Sequence, residues 1–213
     1  QKADLIYRQI LSIYSEYAGS ASGLKLGDDS CKVIAFTSPC GGVGSSTMAA
    51  ACALHYAARG KRTLYLNFER FGSSDAFFAA EGQFDMSGII FALKSKKTNL
   101  SMKMESCVKQ DPRGVYFYSQ SKVALDMLEL GADEIGRLIS EARLSGNYEY
   151  VIADLEFGMD RASLQILRQA GAIVWTGDGS EISNRKLARA YQALAILEQN
   201  AEVPLTARIA LIY

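Results

Sequence analysis

Histidine is nearly absent: His55 is the only one in 213 residues. A multi-histidine zinc site is therefore excluded, and Ser-His-Asp and Cys-His nucleophile systems would have to rest on this one residue. His55 itself falls in an alanine-rich apolar stretch, which predicts a packed position on a helix. An excess of one charge is missing too. The 23 Lys and Arg cancel the 23 Asp and Glu, so no global field pulls the chain toward nucleic acid or an anionic membrane. No apolar run approaches the roughly 20 residues that span a bilayer. The opening QKADLIYRQI lacks the charged and apolar regions of a secretory signal. Cys31, Cys40, Cys52 and Cys107 show no C-x-x-C spacing and read as reduced thiols of a cytosolic protein. Proline is rare, and Pro39, Pro112 and Pro204 all sit at predicted element edges.

What is present is apolar content. At 49% hydrophobic residues, the chain is too hydrophobic for disorder and long enough to bury a substantial core. Residues 3–18 place Ile6, Ile10, Ile13 and Tyr17 on one helical face. With the loop Gly19–Gly23 they predict a connector over 1–23. Because the chain begins at Gln1 and not Met, a further upstream segment is expected. Residues 24–213 are expected to form one α/β domain.

From residue 32, strand and helix patterns alternate. Strands are expected at Lys32–Thr37, Thr63–Leu66, Gly114–Tyr118, Tyr150–Asp154, Ala172–Trp175 and Ala207–Tyr213. Helices are expected at Ser46–Arg59, Ser87–Leu93, Asp133–Arg143, Arg161–Gln169 and Ser183–Gln199. Short, continuously apolar strands separated by helices imply a doubly wound, mostly parallel sheet with both faces covered. The run from Lys94 to Lys103 is basic, with Lys96 and Lys97 between, and reads as a solvated loop face.

The segment Ser38-Pro39-Cys40-Gly41-Gly42-Val43-Gly44-Ser45-Ser46-Thr47 follows the first strand and opens a helix. Ligands bind at the carboxyl ends of strands in such sheets. A glycine-rich turn there lets backbone N–H groups close on phosphate oxygens, helped by the helix dipole. Ser46 and Thr47 stand where a phosphate-binding loop puts a magnesium-ligating hydroxyl and a further phosphate contact. The strict G-x-x-x-x-G-K-[ST] pattern fails twice, with Pro39 in place of its first Gly and Ser45 in place of its Lys. Asp154 ends an apolar strand at the same binding edge, a position from which a carboxylate can hold a magnesium-bound water.

CGGVGSST (40–47) resembles the deviant Walker A sequence K-G-G-V-G-K-T-T of ParA/MinD-type ATPases. LYLNFERFG (64–72) resembles the family's D-x-D segment, with Asn67 and Glu69 in its acidic positions. YEYVIADLEFGMD (148–160) resembles the Walker B strand, with Asp154 as its Asp. The run NFERFGSSDAFF (67–78), the later SEISNRKLARA (180–190) and a strand just before the chain end look most like the TadZ/CpaE branch, whose members position pilus-assembly machinery.

The resemblance implies ATP or ADP with Mg²⁺, bound by Gly41, Gly42, Val43, Gly44, Ser45, Ser46 and Thr47. It implies the metal on Ser46 and Asp154, with Glu69 and Asp154 as catalytic residues. A homodimer and protein partners of a pilus or secretion machine are expected, with no direct nucleic acid. Membrane association is expected only through partners or a further tail. A cytoplasmic location follows, with recruitment to a cell pole or membrane-bound assembly.

The departures are specific. The family's first lysine, which reaches the partner's nucleotide across a dimer, is replaced by Cys40, and the second, on the β/γ-phosphates, by Ser45. Such a cation is worth up to about 4 kcal/mol at 4 Å and an effective dielectric of 20. Weak nucleotide binding with slow or absent hydrolysis is the expectation; the alternative is a scaffold with a vestigial site. Arg70, Arg185 and Lys186 are candidate substitute cations, more simply read as solvated charge. Glu156 has no evident role.

Overall fold

The computed structural model describes residues 31–95, 99–199 and 204–213. The predicted connector over 1–23 and the two lysines Lys96 and Lys97 lie outside them. In chain order the elements are β1 (Lys32–Thr37), α1 (Ser45–Ala58), β2 (Thr63–Asn67), α2 (Ser74–Phe77), α3 (Met86–Ser95), α4 (Leu100–Cys107), β3 (Lys109–Gln110) and β4 (Tyr116–Phe117). There follow α5 (Leu125–Leu128), α6 (Ala132–Leu144), β5 (Tyr150–Asp154), α7 (Arg161–Gln169), β6 (Ala172–Thr176), α8 (Glu181–Glu198) and β7 (Ile209–Ile212). The strands form one sheet in the order β3-β4-β2-β5-β1-β6-β7. Every pairing is parallel except β3 with β4.

The two-residue period of a strand sends alternate side chains to opposite faces. Val33 and Ala35 of β1, Leu64 and Leu66 of β2, and Val151 and Ala153 of β5 join one core with Ile89, Leu138, Ile166 and Leu194 from α3, α6, α7 and α8. Phe36, Tyr65 and Ile152 turn the other way and pack against Ala49, Ala50 and Ala53 of α1. Small alanines let α1 lie close to the sheet, bringing its first turn to the ends of β5 and β2. Asn67 pairs in register with Asp154, two residues beyond Tyr65 and Ile152. Both therefore project toward the α1 side.

The structure adjusts several sequence expectations. The strand at 114–118 shortens to two residues, because Gly114 takes a left-handed turn (φ 97°). The segment 99–107 is a helix, not a loop, started by the Asn99 side chain, which accepts from Met102 N–H. Lys103 is consequently buried, its ammonium 5.5 Å from the Phe84 ring centre, and it is no part of a solvated face. Lys94 pairs with Glu134 at 3.3 Å. His55 is helical but exposed in the last turn of α1, not packed. No described helix is long and apolar enough to cross a membrane.

Candidate nucleotide and metal site

Residues 38–47 wrap one side of a cavity of about 520 Å³, closed opposite by Glu69, Leu155, Glu156 and Phe157. The loop is anchored at its start. Ser38 Oγ donates to the Thr176 carbonyl at 2.6 Å and accepts the Cys40 N–H at 3.0 Å. Cys40 is only 6% exposed. Its sulfur turns inward, 3.2 Å from Ser183 Oγ in the first turn of α8.

Past Cys40 the loop opens. A Cβ added at Gly41, Gly42 or Gly44 would meet nothing within 4 Å. Gly44 is the N-cap of α1 at φ 85°, a left-handed conformation that strains any L side chain. No side chain caps the helix, and its first turn holds no acidic residue. The leading N–H groups of a helix lack intrahelical partners and attract anions. Ser45 Oγ is buried without a hydrogen-bond partner, as are Thr37 Oγ1, Trp175 Nε1 and Thr176 Oγ1 at the ends of the flanking β1 and β6. Buried polar atoms are ordinarily paired, so this concentration marks an edge arranged for something other than its own closure.

Opposite lies a closely bonded cluster. The Ser46 hydroxyl is 3.1 Å from Glu69 Oε1 and 3.2 Å from Asp154 Oδ1, and shares its proton between them. Tyr65 donates to Asp154 Oδ2 at 2.6 Å. Asn67 Nδ2 stands between the carboxylates, 3.2 Å from Glu69 Oε2 and 3.4 Å from Asp154 Oδ2, while its Oδ1 accepts the Glu69 N–H at 2.9 Å. Asp154 is 0% exposed. Burial pushes its pKa up to about 6; the Glu69 charge adds to this, and the Tyr65 and Ser46 hydrogen bonds oppose it. Burial and the Asp154 charge together raise the Tyr65 phenol well above its ordinary value.

These oxygens suit Mg²⁺, a hard cation that takes one or two carboxylates, keeps several waters and shares its shell with phosphate. Among the described residues no group of three or more His, Cys, Asp or Glu could hold a metal by itself. An ion on Ser46 and Asp154 would therefore need a phosphate and water to complete its shell.

Glu69 lines the cavity opposite Gly41–Thr47, and Asp154 lies fully buried behind it, joined to the loop through the Ser46 hydroxyl. The candidate substitute cations do not join them. Arg70 points to Glu156 (Nε–Oε2 4.0 Å) and lines a neighbouring cavity of about 270 Å³. Arg185 pairs with Glu181 one turn away, and Lys186 is exposed on α8. Glu156 acquires a part: it also accepts the Arg70 N–H at 3.2 Å and tethers the segment after β2. Three contributors escaped the motif reading. Ser38 anchors the loop. Gly72 leaves room for Asn67, whose Oδ1 would lie 2.1 Å from an added Cβ. Tyr65 was legible only as a polar tip in an otherwise aliphatic strand, on the same face as residue 67.

No protein-family model matches the chain, and no curated protein matches it by sequence. Solved structures do. A ParA family ATPase from Chlorobium tepidum superposes with a TM-score of 0.67 at 20% identity, covering 87% of this chain and 74% of that one. MinD from Pyrococcus horikoshii, complexed with Mg-ADP, gives 0.61 at 13% identity over 85% and 68%. The MinC:MinD cell division complex of Aquifex aeolicus gives 0.56 at 18% identity over 85% and 67%. The fold is that of the ParA/MinD P-loop proteins.

Proposed function

We propose that the chain is a ParA/MinD-like positioning protein of the TadZ/CpaE type, which binds ATP–Mg²⁺ weakly, hydrolyses it slowly or not at all, and recruits pilus or secretion assembly partners. The observation that carries the nucleotide half is the open glycine loop facing an assembled Ser46–Asp154–Glu69 corner. The likeness to a MinD that holds Mg-ADP supports it.

In this reading the N–H groups of Gly41–Thr47 cradle the phosphates, and Ser46 and Asp154 hold the metal. Bound Mg²⁺ would neutralise phosphate charge. Glu69 orients water, because Asn67 has no basic oxygen. Among the described residues the cavity lining holds no Lys or Arg. Charge stabilisation of the transferring phosphoryl group, where most of this catalysis lies, is therefore deficient.

A MinD seated with MinC supports the partner half. A homodimer belongs to the proposal, but with Cys40 turned inward it must use contacts other than the family's first lysine. The cation-free lining favours one second reading, a scaffold whose site no longer binds nucleotide.

Calorimetric titration with ATP, with and without Mg²⁺, separates the two. Weak binding that requires Mg²⁺, with phosphate release near background, is expected; no heat in either condition would establish the scaffold. Uniform distribution of the tagged full chain in its native cell would sink the positioning role.

A further inference from the structure

Tyr65 lies in the LYLNFERFG segment but at no position given a role there, yet it makes the shortest hydrogen bond in the carboxylate corner, 2.6 Å to Asp154 Oδ2. The sheet register explains how it reaches. Tyr65 pairs with Ile152 and Asn67 with Asp154, so Tyr65 lies one diagonal step from Asp154 on the same face. Diagonal neighbours on adjacent strands are about 7–8 Å apart, a gap that a long aromatic side chain spans and an aliphatic one does not. The ring cannot swing away. It is 1% exposed and meets Phe78 edge-on at 4.9 Å, and Phe78 lies against Phe117 at 5.5 Å.

The other contacts of Asp154 show what Tyr65 adds. Oδ1 faces the Ser46 hydroxyl at 3.2 Å, while the remaining side-chain donor to Oδ2 is Asn67 at 3.4 Å. Without the phenol, Oδ2 would keep only that long contact, and the carboxylate could rotate away from Ser46. Groups that orient metal ligands from behind control affinity nearly as strongly as the ligands do.

We infer that Tyr65 is a positioning residue: its hydroxyl locks Oδ2 of Asp154 so that Oδ1 stays turned toward Ser46 and an arriving Mg²⁺. This rests on the metal reading of the corner, but its test does not depend on nucleotide. Tyr65→Phe keeps the ring and removes the donor. Mn²⁺ with inorganic phosphate, followed by electron paramagnetic resonance, is expected to bind about 10- to 100-fold more weakly to the variant than to wild type. Tyr65→Phe should unfold at a lower temperature, since a buried hydrogen bond to a carboxylate is lost; Leu138→Ala, a core truncation on the opposite face of the sheet, should also destabilise yet leave Mn²⁺ affinity unchanged, which a merely structural role would not predict. Phe78→Leu is a second variant that retains the hydroxyl and loosens only the ring that aims it; an intermediate loss of Mn²⁺ is expected.

Equal Mn²⁺ affinity in wild type and Tyr65→Phe, including none in either, overturns the assignment. So does an equal loss of Mn²⁺ in Leu138→Ala. Wild-type protein that holds Mn²⁺ but never ATP would sink the nucleotide reading and leave the role of Tyr65 standing.

Discussion

The glycine loop and the carboxylate corner face each other across one cavity, yet they differ in how completely their polar groups are partnered. In the corner, Ser46, Tyr65, Asn67, Glu69 and Asp154 bond to one another at 2.6 to 3.4 Å. In the loop, Ser45 Oγ is buried without a partner and the glycines face open space. The corner has the oxygen ligands a metal needs. The loop keeps its backbone cradle and has lost its cations. A site of this kind can hold a metal–phosphate complex through the metal and the backbone while contributing little to charge stabilisation in a transition state. In the proposed reading, metal and phosphate recognition are physically separable, and only the first would rest on side chains.

The largest expected effect comes from breaking the corner. Asp154→Asn should abolish Mg²⁺-dependent nucleotide binding, a loss beyond about 100-fold, since even residues behind a ligand cost 10- to 100-fold. Titration with and without Mg²⁺ checks it. Survival of that binding would mean the metal is not held at this corner.

Next is repair of the loop. Ser45→Lys places an ammonium beside the cradle, where charge-assisted hydrogen bonds worth about 1.5–3 kcal/mol should tighten ATP about 10- to 100-fold. Unchanged affinity would show that the loop does not receive phosphates. Cys40→Lys should not tighten binding at all, because that side chain is aimed at Ser183 and not at the cavity. It should instead cost about 1–3 kcal/mol of stability, read by urea unfolding.

A third test titrates the comparison. Asp154 stands at about 6 in the folded protein against an ordinary value of 3.8. Between those values the folded state binds more protons than the unfolded, so stability falls as pH rises through the window. The penalty, on the order of 3 kcal/mol, is complete above the upper value. Asp154→Asn should therefore be more stable than wild type at pH 7.5, and the advantage should shrink toward pH 4. Because protons compete with metal for this carboxylate, wild-type Mg²⁺-dependent binding should weaken about tenfold per pH unit below about 6. A flat profile would mean the corner is not as dry as its burial implies.

The smallest effect is expected far from both walls. Arg185→Ala removes an exposed pair with Glu181. It should leave nucleotide affinity unchanged and move stability by no more than about 1 kcal/mol. A marked fall in ATP affinity would revive Arg185 as a substitute for the missing lysines.

The central sheet was legible because continuously apolar runs such as YVIAD and KVIAFT announce buried parallel strands. The loop was legible because glycines at fixed spacing carry a backbone requirement that needs no tertiary context. Lys103 was misread because an amphipathic side chain can bury its stem under a helix that only Asn99 initiates. His55 was misread because an alanine-rich stretch does not reveal which of its faces meets the sheet.

By itself, the sequence determined the alternation of strand and helix, the glycine loop and the absence of lysine from it, all of which are local in the chain. Tertiary structure decided the rest. Residues 40 and 183, 46 and 154, and 65 and 154 meet only when the sheet is assembled in register. Whether Cys40 faces inward, and whether an ordinary tyrosine becomes the partner of a buried carboxylate, depends on which strand lies beside which. Strand order is set by packing between distant segments, and no short stretch of sequence carries it.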